Sequence, residues 1–161
     1  MKKKITVLSL CAMLFAVSFR AEAQQLTKVP RIGHVLAAPP AAVPARTEAF
    51  RQGLYQLGYV EGKNIVVEWR SADGKLERLP ALLAEIVHLQ VDVIVSGGPE
   101  STRVAKEATT TIPIVMTQDT DPVANGFVAS LARPGGNITG LSNLAPELRR
   151  KATRAFEGDR S

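Results

Sequence analysis

The chain reads as an α/β protein built on one parallel sheet of the Rossmann-like or flavodoxin-like kind. Three observations point there. Strand-like and helix-like stretches follow one another as β-α-β-α-β-α-β-α-β from Arg31 to Leu141, the pattern of a parallel sheet with helices on both faces. The run Val91-Asp92-Val93-Ile94-Val95 is β-branched and nearly continuous in apolar character, as in a strand buried on both sides. It breaks at Ser96-Gly97-Gly98-Pro99 and resumes as a helix pattern. The two glycines allow a tight turn, and Pro99 suits a first helical turn. Right-handed crossovers limit the topology, and the strand order 2-1-3-4-5 is expected.

The elements follow in order. Arg31 to Ala38 is a short first strand. Pro39-Pro40-Ala41-Ala42-Val43-Pro44 is a proline-rich loop that cannot be a central strand. Ala45 to Leu57 is an amphipathic helix with Phe50, Leu54 and Leu57 on one face, stopped at Gly58. Ile65 to Arg70 is a second strand. A second helix runs from about Leu76 to Leu89, with Leu79, Leu83 and Ile86 toward the core and Leu82 and Leu89 widening that face; Pro80 must lie in its first turn. After the central strand, a third helix spans about Glu100 to Thr109, and Pro113 disfavours its continuation. Pro113 to Thr117 is a fourth strand, Val123 to Leu131 a short helical pattern, and Asn137 to Leu141 a fifth strand. Residues 148–161 carry few apolar side chains and read as an aberrant or disordered tail.

At 161 residues, one domain is the default. Residues 1–23 read as a secretory signal peptide: Lys2, Lys3 and Lys4, then the apolar Ile5 to Phe19, then Ala21-Glu22-Ala23 before Gln24. An uncleaved anchor would want about 20 apolar residues; this stretch has 15, diluted by Ser9 and Ser18 and followed by Arg20. Cys11, preceded by Leu10, belongs to the leader and not to a lipoprotein site. Cleavage removes four of the 20 basic residues and one of the 15 acidic ones, leaving 16 and 14 and a net charge of +2. A mature chain this close to neutral has no electrostatic case for nucleic acid or for stable membrane insertion, and residues 24–147 are expected to form its one folded lobe. It has no cysteine, which suits an exported protein of a bacterial periplasm without disulfides.

Most chemistry is excluded. The turn after the first strand holds Ala38-Pro39-Pro40, not the glycines of a dinucleotide fingerprint, and no phosphate-loop or nucleophile-elbow sequence occurs. Asp119-Thr120-Asp121 resembles part of a calcium loop but lacks the later glutamate, so Asp121 reads as the cap of the helix that starts at Pro122. Trp69 reads as core before ligand-stacking ring. His34 can approach the strand tips, His88 reads as surface, and Glu100 and Arg103 have the spacing of a surface pair. No nucleophile, base and oxyanion site assembles. No catalytic residue, metal or cofactor is expected, and the chain is not read as an enzyme.

A polar rim remains. Ala37-Ala38, Ser96-Gly97-Gly98 and Thr117-Gln118-Asp119 end three strands that a parallel sheet brings to one edge. Backbone N–H groups and hydroxyls there can hold the carboxylate of an amino-acid-like ligand.

Several spaced blocks carry a family resemblance. They are Glu48-Ala49-Phe50-Arg51-Gln52-Gly53-Leu54, Leu57-Gly58-Tyr59-Val60-Glu61-Gly62, Arg78-Leu79-Pro80-Ala81-Leu82, Val91-Asp92-Val93-Ile94-Val95, Thr109-Thr110-Thr111-Ile112-Pro113-Ile114-Val115, Asp121-Pro122-Val123, and Leu131 through Ser142. Together they resemble the ABC transporter substrate-binding family that includes tryptophan- and tyrosine-type uptake proteins, over roughly Arg31 to Leu148. The resemblance implies the type I periplasmic-binding-protein fold, two Rossmann-like lobes with ligand between, and delivery of a small solute to a membrane permease. By position it implies Ala38, Gly97, Gly98, Ser101, Thr117, Gln118 and Asp121 as ligand-facing residues. Two departures concern the ligand. Relatives often have Gly-Thr-Pro where this chain has Gly97-Gly98-Pro99, and small residues where it has Gln118-Asp119-Thr120. The family pattern is lost after Pro146-Glu147-Leu148, so a single, truncated lobe is expected.

Other readings of the same scaffold are an enzyme or receiver domain, or a folded remnant that pairs with itself. A receiver would need acidic residues after the first strand and an aspartate after the third, where Ala37-Ala38 and Ser96-Gly97 stand.

Overall fold

The computed structural model describes residues 28–143. The signal peptide and the tail from residue 148 lie outside them. The described residues form five strands and three α-helices: β1 (Arg31–Leu36), α1 (Pro44–Gln56), β2 (Val66–Ser71), α2 (Leu79–His88), β3 (Val93–Gly97), α3 (Pro99–Ala108), β4 (Ile114–Asp119) and β5 (Ile138–Ser142). Short 3-10 turns at Pro40–Ala42 and Leu76–Arg78 precede α1 and α2. All pairings are parallel, in the order β2-β1-β3-β4-β5. This is the expected topology, and the described residues make a single lobe.

Strand alternation sorts the two faces. On β1, a Cβ at Gly33 would meet the side chain of Ile86 on α2, whereas the next residue, His34, meets Phe50 on α1. Helices α1 and α2 therefore cover opposite faces. The α2–α3 face is the packed core: Val35, Leu79, Leu83, Ile86, Ile94, Ala105, Ile114, Met116 and Ile138 are buried in one cluster. Full burial of a Leu or Ile side chain contributes about 1.5–3 kcal/mol. The α1 face is thinner. No residue of α1 is fully buried, and Thr117, Thr139 and Leu141 on β4 and β5 are exposed.

Three expectations are corrected. Residues 123–131 hold no helix; they form turns in which the N–H groups of Phe127 and Val128 both donate to the Pro122 carbonyl, at 2.8 and 3.3 Å. Gly126 at φ 68° interrupts a stretch already too short to repay helix nucleation. The stretch instead buries Phe127 and Val128 against the core. Leu57 is 76% exposed and not on a core face. Helix α1 ends one residue earlier, in a Schellman turn: Gly58, at φ 85°, donates to the Tyr55 carbonyl and Tyr59 to that of Leu54, both at 2.9 Å. Glu100 and Arg103 form no ion pair among the described residues.

Candidate functional site

A parallel sheet places every strand's carboxyl end on one side, and the register aligns them. Leu36 of β1 pairs with Gly97 of β3, and Ser96 of β3 with Met116 of β4. A bulge after Met116 then brings Asp119 opposite Ser142 of β5. The turn after β3 is set from within. The Ser96 and Thr102 hydroxyls share a buried 2.8 Å hydrogen bond, and Thr102 Oγ1 also donates to the Gly98 carbonyl at 2.9 Å. Gly98 itself sits at φ 127°, in the region glycine favours.

The structure brings together three of the seven expected residues. Ala38, Gly97 and Thr117 line one cavity of about 300 Å³, with His34, Phe50 and Leu141 among its other walls. A Cβ at Gly97 would press on the end of the Leu36 side chain, which would have to shift. Thr117 is exposed, and its hydroxyl donates to the Ser96 carbonyl at 3.1 Å. Asp121 lines a separate cavity of about 310 Å³ with Thr120 and Ser142. Its carboxylate accepts from the Ala124 N–H at 2.9 Å, so it caps a turn where a helix cap was expected. Gly98 is the N-cap of α3, and Ser101, in the first turn, is fully buried with no hydrogen-bond partner for Oγ. Gln118 is half-buried. Neither cavity is lined by Gly98, Ser101 or Gln118.

Residues of α1 complete the first cavity, and sequence reasoning did not single them out as site residues. The N-cap Val43 and, within the helix, Arg46, Thr47 and Phe50 line it at helical spacing; that i, i+3, i+4, i+7 pattern was the signal available. Phe50 packs edge-on to His34 with ring centroids 5.0 Å apart. His34 stacks on Trp69 at 4.5 Å. Burial lowers the His34 pKa to about 4, so the imidazole is neutral at neutral pH. Trp69 Nε1 donates to Glu61 at 3.0 Å, and the Arg51 guanidinium lies 4.9 Å from the indole centroid. His88 is exposed. Among the described residues, no three of His, Cys, Asp and Glu gather to hold a metal ion, and no helix is long and apolar enough to cross a membrane.

An open parallel sheet with a cavity at its strand tips is the architecture of ligand-binding α/β lobes. The family of ABC transporter substrate binding proteins matches residues 39–150, and the chain belongs to it. It is 35% identical over 96 residues to the tyrosine-binding protein of Clostridioides difficile (strain R20291), a match covering 60% of this chain and 28% of that one. Among solved structures it resembles a conserved domain protein from Vibrio cholerae, with a TM-score of 0.69 and 33% identity over 73% of this chain and 40% of that one. It also resembles the ligand-free, open form of a substrate binding protein with adhesive properties from Clostridium difficile, with a TM-score of 0.68 and 30% identity over 71% and 39% of the two chains. An ABC domain of Streptococcus pneumoniae in complex with L-Trp shares the fold, with a TM-score of 0.67 and 23% identity over 71% and 39%. The chain thus spans well under half the length of these proteins.

Proposed function

We propose that the chain is one lobe of a periplasmic solute-binding component that serves an ABC permease. Its ligand is a small organic solute held at the strand tips by Ala38, Gly97 and Thr117, with Gly98, Gln118 and Asp121 beside them and Ser101 buried behind the turn. The observation that carries this reading is the convergence of Ala38, Gly97 and Thr117, from three different strand ends, on one cavity. An amino acid is the natural first candidate, because the curated relative is named for tyrosine. The leader at residues 1–23 supports export, and family membership supports the permease as partner.

One lobe offers one wall. Closure about a hinge needs a second body, and ordinary sites bury about 70–90% of a ligand's surface. The chain by itself therefore binds weakly. Calorimetry against a panel of amino acids tests this, with affinities weaker than micromolar expected; micromolar binding by the chain alone contradicts the one-wall account. A second reading, a remnant that pairs with itself, is favoured by the exposed sheet face, where Leu141 is 70% exposed. Native mass spectrometry separates the two, since a stable dimer supports pairing.

A further inference from the structure

Helix α1 is held more loosely than its neighbours. Helices α2 and α3 each bury four residues, and α1, the longest of the three, buries none. Buried apolar area is what fixes a helix to a sheet, and segments with little of it open at less than the cost of global unfolding. A small cluster fastens α1 instead. Phe50 is the α1 ring that reaches the sheet, and it closes a triangle with His34 of β1 and Trp69 of β2. It stands edge-on to both, with centroids 5.0 Å from His34 and 5.8 Å from Trp69. Beside it, the Arg51 guanidinium lies 4.9 Å from the Trp69 centroid and pairs with Glu61 at 3.3 Å. Both members of that pair are exposed, and exposed ion pairs contribute little. The Phe50 ring is therefore the main fastening. The same helix roofs the strand-tip cavity: Arg46, Thr47 and Phe50 stand on one side of it, and His34, Gly97 and Thr117 on the other. Each end of α1 has a pivot of the kind hinges use, the 3-10 turn Pro40–Ala42 leading in and Gly58, at φ 85°, leading out.

We propose that α1 is a lid on the strand-tip cavity, latched by Phe50 against His34 and Trp69. In the closed form the ring sits in the triangle and the helix covers the floor of the cavity. In the open form Phe50 leaves the triangle, α1 moves off the sheet, and His34, Gly97 and Thr117 face solvent. The core between the sheet and α2 and α3 lies on the opposite face and stays intact. Solute enters and leaves the cavity by this motion, which takes place within the one lobe. That last step rests on the solute-binding reading above; the opening of α1 does not.

The test is native-state amide hydrogen exchange of the full chain, read residue by residue. The hydrogen-bonded amides of α1 are expected to exchange about tenfold or more faster than those of α2 and α3, because they open without global unfolding. Phe50→Leu keeps an apolar side chain and removes the ring. It should speed α1 exchange by a further two- to tenfold or so, the range for a lost aromatic pair, and leave α2 and α3 unchanged. Millimolar L-phenylalanine should slow α1 exchange in the wild type. Amides of α1 as protected as those of α2 and α3 overturn the proposal, and this wild-type profile decides even if Phe50→Leu fails to fold. A Phe50→Leu variant that speeds all three helices alike, or none, overturns it too. If phenylalanine slows the strand-tip amides and leaves α1 as fast as before, the lid fails and the solute-binding reading stands. If α1 opens early and answers to Phe50→Leu while phenylalanine slows no amide, the lid stands and the solute-binding reading fails.

Discussion

The imidazole of His34 lies over the indole of Trp69, with ring centroids 4.5 Å apart and planes 28° from parallel. Burial in that stack lowers the His34 pKa from 6.5 to about 4. Between those values the unfolded chain binds a proton that the folded chain does not, so stability rises with pH across this window and is lost as pH falls through it. The difference amounts to roughly 3 kcal/mol. Urea unfolding between pH 7 and 4 should show that loss, and His34→Phe should flatten the slope. Asp92, held below its ordinary value by hydrogen bonds from Lys28 and the Arg31 N–H, acts only below about pH 3.8, outside the window. A variant with the same slope as the wild type would remove His34 from this role.

Glycines separate by environment. Gly140 sits at φ 143°, and a Cβ there would run into the backbone carbonyl of Met116. Gly53, inside α1, has open space around it. Gly140→Ala should therefore destabilise by about 2–4 kcal/mol and disturb the β4–β5 pairing. Gly53→Ala should stabilise by about 0.5–1 kcal/mol. Thermal unfolding of both variants checks the opposite signs.

Thr102→Val removes a hydroxyl that serves Ser96 and the Gly98 carbonyl together. The volume is conserved, but Ser96 Oγ, fully buried, is left without its partner. A loss of about 1–3 kcal/mol is expected in denaturant unfolding. The amides of Gly97 and Gly98 should shift as well, because the hydroxyl pair sets the turn they form. A spectrum unchanged at both glycines would contradict that.

The end of α2 holds a non-glycine residue in the left-handed region, Gln90 at φ 51°. Gln90 is exposed, so its side chain contributes little there. Gln90→Gly should raise the stability by about 1 kcal/mol, read as a higher urea midpoint with an unchanged slope.

These residues also show what the sequence made legible. Leu79, Leu83 and Ile86 announce a helix face by their spacing, and all three are fully buried. The β-branched run ending at Gly97-Gly98 announces a central strand and a tight turn, and β3 and α3 flank it as expected. The stretch 123–131 misled because helical spacing over nine residues says nothing of Gly126, whose positive φ redirects the chain so that Phe127 and Val128 reach the core. The α1 side of the cavity was hidden for another reason. Arg46, Thr47 and Phe50 look like an ordinary amphipathic face, and only the register of β1, β3 and β4 shows which strand tips they overhang.

The most direct measurement of the central claim is a map of amide shifts in the chain on titration with millimolar amino-acid solutes. The account predicts shifts concentrated at the carboxyl ends of the strands, at Ala38, Gly97, Gly98, Thr117, Gln118 and Asp121. Shifts confined to the opposite edge, around Gly62, Asp92 and Thr111, or no shifts at saturating solute, would contradict it.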